Sequence, residues 1–244
     1  MKKKVVGLGE VLWDVLPERT CLGGAPSNFA YVTTLMGDQG IVASRVGEDS
    51  QGLEALRRME ELGLNIDHVQ TDRLRPTGTV KVALDEKGQA RFEIAHPVAW
   101  DFLQWTPEWQ HLAETADAVC FGSLAQRSEV SRTTIRRFLR STSPTAVKVF
   151  DVNLRQSYYS QEILSESMRL ADIVKLNDEE LPKIMNLSGI SHGSPNKKDE
   201  LSSAQRLIVA YDLKLVCVTR GGRGSLLVRG AESRRRVVRA EAQT

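Results

Sequence analysis

Six short strings place glycine or polar residues where chemistry could be done. Gly23-Gly24-Ala25-Pro26-Ser27-Asn28 stands at the start of a helical stretch. Paired glycines let a backbone approach a ligand closely, and Asn28 can both donate to and accept from a hydroxyl. Asp14, a little earlier, is acceptor-only and suits two hydroxyls at once. A tight turn with a helix cap explains the glycines equally well. Arg45-Val46-Gly47-Glu48-Asp49-Ser50-Gln51-Gly52 reads best as a strand-to-helix turn capped by Asp49 or Ser50. Phe121-Gly122-Ser123-Leu124-Ala125-Gln126-Arg127 and Asp151-Val152-Asn153-Leu154-Arg155 each follow an apolar run. Asn177-Asp178-Glu179-Glu180 fits a capping box. It also fits a hydrated Mg²⁺ beside phosphates, because that ion needs few carboxylates. Thr219-Arg220-Gly221-Gly222-Arg223-Gly224-Ser225 is a glycine-rich turn whose amides could face phosphate, or a plain hairpin turn.

These strings need elements to hold them. Residues 5–8 and 40–46 read as strands, and 27–36 and 51–62 as helices with Gly37 and Gly63 past their ends. Residues 79–84 and 90–95 alternate around Asp85-Glu86-Lys87-Gly88, a β-hairpin pattern. Strands at 118–122, 146–151, 173–176 and 214–219 are separated by helices at 128–140, 161–171, 178–187 and 201–211. Strands joined by helical crossovers predict an α/β fold with a parallel sheet. Ligands in such sheets bind beyond the carboxyl ends of the strands, where these strings lie. No internal repeat occurs. Residues 188–198 read as a surface loop within the domain.

Composition excludes several classes. The 244 residues are 41% apolar and 26% charged, with 33 basic and 31 acidic residues giving a net +2. That balance excludes wholesale disorder and gives no global attraction to nucleic acid. Cys21, Cys120 and Cys217 form no metal or disulfide spacing, which predicts a reducing, cytoplasmic setting. The apolar run after Met1-Lys2-Lys3-Lys4 is too short for a signal or a membrane span. The four histidines share no spacing, so no metal site is expected from them. Trp100, Trp105 and Trp109 read as packing, and Arg234-Arg235-Arg236 with Arg239 as a solvated tail or edge strand. The dinucleotide fingerprint fails, since its third glycine would fall at Leu12, and no Walker A loop occurs.

The order Gly-Gly-x-Pro-x-Asn, Gly-x-Asp-x-x-Gly, Asp-x-Asn-x-Arg, Asn-x-x-Glu, Thr-x-Gly-x-x-Gly resembles the ribokinase-like carbohydrate kinases of the phosphofructokinase-B type. Phe92-Glu93-Ile94, Ala99-Trp100-Asp101 and the string 121–127 look most like the fructokinase branch. The resemblance covers residues 5–228. It implies a three-layer α/β/α core, mainly parallel, with a small β-lid. Residues 1–10, 21–76 and 96–244 would form the core, and 11–20 with 77–95 the lid. It implies ATP and Mg²⁺ as cofactors and a sugar as acceptor, most readily fructose at a primary hydroxyl. Asp14, Gly23, Gly24, Asn28 and Gln126 would bind the sugar, with Asn153 and Arg155 on the second wall. Asn177, Thr219, Gly221 and Gly224 would bind nucleotide, and Glu180 would hold Mg²⁺ through water. The family lid can also mediate a homodimer. No membrane or nucleic-acid partner is implied.

The family's second signature, Asp-Thr-x-Gly-Ala-Gly-Asp, does not occur in the 244 residues. Its last Asp is the family's general base, and its amides form an anion hole. A base typically contributes about 10²–10⁴-fold, so the expectation is a kinase shortened at its C-terminal, nucleotide-binding end, with little activity. Asp151 could stand in as base, but a fold-supporting role is expected. A non-catalytic sugar-binding or regulatory protein on the same fold is the alternative.

Overall fold

The computed structural model describes residues 1–84, 90–190, 200–230 and 238–240. Three expectations fall outside them: the hairpin turn at 85–88, the loop at 191–198 and the arginine run at 234–236. The chain divides into two compact units, Met1–Ala146 and Val147–Thr244.

The first unit contains β1 (Lys4–Leu8), β2 (Leu12–Val15), β3 (Thr20–Gly23), α1 (Ala25–Leu35), β4 (Gln39–Gly47), α2 (Ser50–Glu61), β5 (Val69–Asp72), β6 (Gly78–Leu84), β7 (Ala90–Ile94), α3 (Pro107–Thr115), β8 (Ala118–Gly122) and α4 (Glu129–Ser141). Strands β8, β1, β4 and β5 lie side by side, all parallel. Strands β3, β2, β6 and β7 form a smaller mixed sheet. The second unit contains β9 (Val147–Asp151), α5 (Gln161–Leu170), β10 (Ile173–Asn177), α6 (Glu180–Leu187), α7 (Glu200–Tyr211), β11 (Leu215–Thr219), β12 (Ser225–Arg229) and β13 (Val238–Ala240). Here β9, β10 and β11 are parallel, and β12 and β13 continue antiparallel. The fold is thus a mixed α/β architecture with a mainly parallel sheet and a smaller second sheet.

The sequence expectations locate most elements within two residues. Helix α1 begins at Ala25 rather than 27, because Pro26 fits a first helical turn that has no amide bond to lose. Helix α6 begins at Glu180 rather than 178, since 178–179 form a turn. Strands β3 and β5 and helix α3 were not anticipated. The two strands are four residues long with no apolar alternation, whereas α3 carries a readable start: Thr106 accepts from the Trp109 amide ahead of Pro107. The tryptophans pack as expected. Trp100 and Trp109 are buried, and Trp105 and Trp109 meet Phe138 edge-on at 6.3 and 5.9 Å. In β10 to β12, buried Val174, Leu176, Val216, Val218, Leu226 and Val228 alternate with half-buried residues. One face is therefore better covered than the other, unlike the continuous burial that a doubly covered parallel sheet favours.

The glycine string before α2 is structural. Asp49 caps α2, its Oδ1 accepting from the Gly52 amide at 2.7 Å. Oδ1 also accepts from the Thr77 hydroxyl at 2.7 Å, and Oδ2 from the Thr77 amide at 2.8 Å. Thr77 Oγ in turn accepts from the Gly47 amide at 2.9 Å. This ties the start of β6 to the β4–α2 turn. Burial pushes the Asp49 carboxyl up, but the donors from Thr77, Gly52 and Gln51 outweigh it and hold it below the usual carboxylate range. A depressed carboxyl stabilises the fold fully above its unfolded pKa of about 3.9 and loses that contribution as pH falls through its folded value. Asp49→Ala should destabilise by about 2–4 kcal/mol in denaturant unfolding, from a lost cap and an unpaired amide. Asp49→Asn should flatten the acid limb of the stability profile below about pH 4.

Candidate active site

In the first unit the candidate sugar residues come together around the entry to α1. Asp14 lies on β2, opposite Cys21 on β3 and Val80 on β6. Its neighbours Trp13 and Val15 pack with Ala30, Val42 and Met59 in the core, so strand alternation turns Asp14 to the other face. The Trp13 indole nitrogen donates to the Gln51 carbonyl at 3.0 Å and anchors that strand on α2. The Asp14 carboxylate lies across the Cα of Gly23, where a Cβ would overlap Oδ2. Gly24 caps α1 at φ +115°, a backbone region that favours glycine, and its Cα stands against the Glu10 carbonyl. Ser27, which the sequence did not single out, is buried and donates to the Gly24 and Gly23 carbonyls at 2.9 and 3.2 Å. Asn28 follows on the exposed first turn, its amide N–H donating to the Gly24 carbonyl at 3.0 Å. Its side chain makes no hydrogen bond among the described residues. An acceptor-only carboxylate and an uncommitted amide thus flank a glycine pair.

Gln126 sits apart from that group in character. It is 1% exposed in a short 3-10 turn, Leu124–Arg127, and its side-chain amide donates to the Gly122 carbonyl at 2.9 Å. Part of its bonding capacity is therefore spent on the β8 end.

In the second unit the remaining candidates gather at the ends of β9, β10 and β11. Asn177 Oδ1 accepts from the amides of Glu179 and Glu180 at 3.0 and 2.8 Å. Glu180 answers with Oε2 accepting from the Asn177 amide at 2.9 Å. This is the reciprocal bonding of a capping box. The sequence did not reveal that Oε1 also accepts from the Leu154 amide at 2.8 Å, which fastens the β9 loop to α6. That loop bends at Asn153, in the left-handed region at φ +38°, where asparagine is better tolerated than most residues. Arg155 is exposed and donates to the Leu154 carbonyl at 3.2 Å. Asp151 is held through both oxygens by Lys175 at 2.9 and 3.0 Å, which fits a supporting role.

Thr219 lies opposite Asn177 on β10 and Ser225 on β12. The turn after it closes through Arg220 N–H to Gly224 O at 2.9 Å and Gly224 N–H to Gly221 O at 3.0 Å. Gly221 and Gly224 both have positive φ, 57° and 75°, and Gly221 and Gly222 are exposed to open space. Arg223 pairs with Asp178. Exposed turn amides beside a guanidinium can accommodate an anion. As for a metal, no cluster of three or more acidic, His or Cys ligands occurs among the described residues. Each Glu180 oxygen accepts one backbone bond, and a carboxylate oxygen has a second lone pair. The residues fit an Mg²⁺ that keeps its waters and touches Glu180 through one of them.

Comparison with known proteins decides the family. The pfkB family carbohydrate kinase model matches residues 18–243. The chain belongs to the pfkB family of carbohydrate kinases. It is similar to the fructokinases of Escherichia coli, 30% identical over 243 residues, and Klebsiella pneumoniae, 31% over 246. Each match takes in 92% of this chain and 73% of the relative. Among solved structures, the Vibrio cholerae fructokinase bound to fructose, ADP and calcium superposes with a TM-score of 0.79 at 25% identity, over 99% of this chain and 78% of that one. A Xylella fastidiosa fructokinase with bound ATP shares the fold at 21% identity, with a TM-score of 0.81 over 100% of this chain and 76% of that one. The chain is thus a sugar kinase of the ribokinase-like fold. No helix among the described residues is long and apolar enough to cross a membrane.

The Glu180 geometry generates one prediction about the kinase. Glu180→Ala leaves the Leu154 and Asn177 amides without their acceptor and should cost about 2–3 kcal/mol in denaturant unfolding. Glu180→Gln, which keeps one acceptor oxygen, should cost about half as much.

Proposed function

We propose that this chain catalyses transfer of the γ-phosphate of ATP to a primary hydroxyl of fructose. The observation that carries the proposal is the pairing of the Asp14 carboxylate, laid over Gly23, with the exposed, uncommitted side chain of Asn28. An acceptor-only group beside a donor–acceptor group suits neighbouring sugar hydroxyls. The fructokinase names of the bacterial relatives support the choice of fructose.

In this reading Asp14, Gly23, Gly24, Asn28 and Gln126 hold and orient the sugar. In the second unit, Asn153 and Arg155 also bind substrate. Asn177, Thr219 and the turn at Gly221 and Gly224 hold the phosphates, with backbone amides and Arg223 supplying positive potential. Bound Mg²⁺, held through water by Glu180, supplies charge neutralisation on the phosphates. The smaller sheet acts as a lid that excludes water, residues 11–20 and 77–95 being its main part. Its edge strands β3 and β7 support a lid-mediated homodimer. The reaction belongs in the cytoplasm, where ATP is at hand and free cysteines such as Cys21 and Cys217 persist.

Phosphoryl transfer rests on positioning and electrostatics, with a base to take the hydroxyl proton. Asp151 is committed to Lys175, and the family's Gly-Ala-Gly-Asp string has no counterpart in the 244 residues. We therefore propose that these residues by themselves bind fructose and turn it over slowly.

ADP release from the purified 244-residue protein, with Mg-ATP and a panel of sugars, tests this. Fructose binding with little fructose-dependent ADP is the expected result. Fast turnover would show that another residue serves as base, and absence of fructose binding would remove the substrate assignment. Gly23→Ala should weaken fructose binding by at least about tenfold, ~1.4 kcal/mol, in calorimetric titration, because its Cβ displaces the Asp14 carboxylate.

A further inference from the structure

The strings Ala99-Trp100-Asp101 and Gln126-Arg127 meet in three dimensions. Arg127 closes the short turn that carries Gln126, and its side chain is 3% exposed against 1% for Asp101. Its Nε donates to Asp101 Oδ1 at 2.8 Å and its Nη2 to Oδ2 at 2.9 Å. Nη2 also donates to the Ala95 carbonyl at 2.6 Å. The guanidinium lies 4.0 Å from the ring centroid of Trp100. Asp101 Oδ2 accepts in addition from the Val98 amide at 3.0 Å. The fully buried Trp100 indole presses on Gly78, where a Cβ would overlap its nitrogen.

These contacts grip both strands of the lid hairpin at its base. Gly78 is the first residue of β6, and Ala95 directly follows β7 and donates to the Thr79 carbonyl at 2.9 Å. Strand β6 in turn pairs with β2, Gly78 opposite Leu12 and Val80 opposite Asp14. A path of direct contacts therefore runs from the Gln126 turn through Arg127, Asp101 and Trp100 to the strand that bears Asp14.

A buried ion pair is a weak source of stability. Its desolvation often cancels its attraction, and apolar residues of similar volume often replace it without loss. What the pair does provide is direction. The planar guanidinium meets a carboxylate, a carbonyl and an aromatic face at once in one orientation. We infer that Arg127 and Asp101 are positioning residues that hold the β6–β7 hairpin, and with it the Asp14 strand, in register with the Gln126 turn, and so set the affinity for sugar. The inference rests on the proposed sugar-binding role of Asp14.

The test uses the 244-residue protein and two variants, Arg127→Lys and the apolar pair Arg127→Met/Asp101→Leu. Fructose and ADP titrations, denaturant unfolding and amide hydrogen exchange are measured on each. The apolar pair should keep wild-type ADP affinity and one cooperative unfolding transition, lowered because the Val98 amide loses its acceptor, yet bind fructose at least about tenfold more weakly. Amides of β6 and β7 should exchange at least about tenfold faster, with β1 and β4 unchanged. Arg127→Lys should move fructose affinity and hairpin exchange in the same direction, since a single ammonium cannot reproduce the fork. Wild-type fructose affinity and hairpin exchange in either variant overturn the inference, as does a parallel loss of ADP affinity and stability in both. If the unaltered protein binds no fructose, the sugar assignment fails by itself, and unchanged hairpin exchange in the variants then overturns the clamp separately.

Discussion

The seat of α1 on the parallel strands is the constraint on which the sugar side depends. Pro26 and Ala30 turn their carbonyls onto the α-carbons of Gly7 on β1 and Gly40 on β4, with no room for a Cβ between. Helix and sheet touch backbone to backbone. That contact fixes the height of the helix N-terminus above the sheet, and hence the place of Gly24 and Asn28. A side chain at either position would lift the helix and carry its first turn with it. Trp13, sunk among Ala30, Val42 and Met59, draws the Asp14 strand down onto the same core. The polar pair that defines the proposed sugar site is thus placed by apolar packing and by the absence of side chains.

The second unit solves a similar problem with one carboxylate. Glu180 gathers the amides of Asn177 and Leu154, so the loops after β9 and β10 share an anchor. The β11 turn joins them through the pairing of Thr219 with Asn177 and of Arg223 with Asp178. Asn177 and Thr219 of the proposed phosphate side are thus tied to the same cap. The structural work of a capping box and the proposed work of a phosphate site coincide here, since both need donors held at a helix start.

Much of this was legible in the sequence, because helices and long strands announce themselves by period and by caps. Asp49 as the α2 cap and Asn177 with Glu180 as a capping box follow from residue type and spacing alone. What escaped is what depends on distant partners. The Glu180–Leu154 bond spans 26 residues, and the Arg127–Asp101 bond also spans 26. The Thr77 side of the Asp49 cap lies 28 residues away. No local pattern encodes such contacts. Trp100 was legible as a packing residue, but the buried fork of Arg127 on Asp101, stacked on its indole, needs the fold. Strands β3 and β5 escaped because neither carries the apolar run or alternation by which 5–8 and 173–176 are read, and their neighbours, rather than their own composition, make them strands.

The proposed function stands on a sugar held by Asp14 and Asn28 at the entry to α1. A crystal structure of this protein grown with fructose and ADP would show whether the sugar sits there. Fructose hydroxyls should lie within about 3.2 Å of the Asp14 carboxylate and of the Asn28 side-chain amide, the ordinary hydrogen-bond range. Fructose bound elsewhere, or an Asp14 carboxylate that makes no contact with it, would remove Asp14 from sugar recognition.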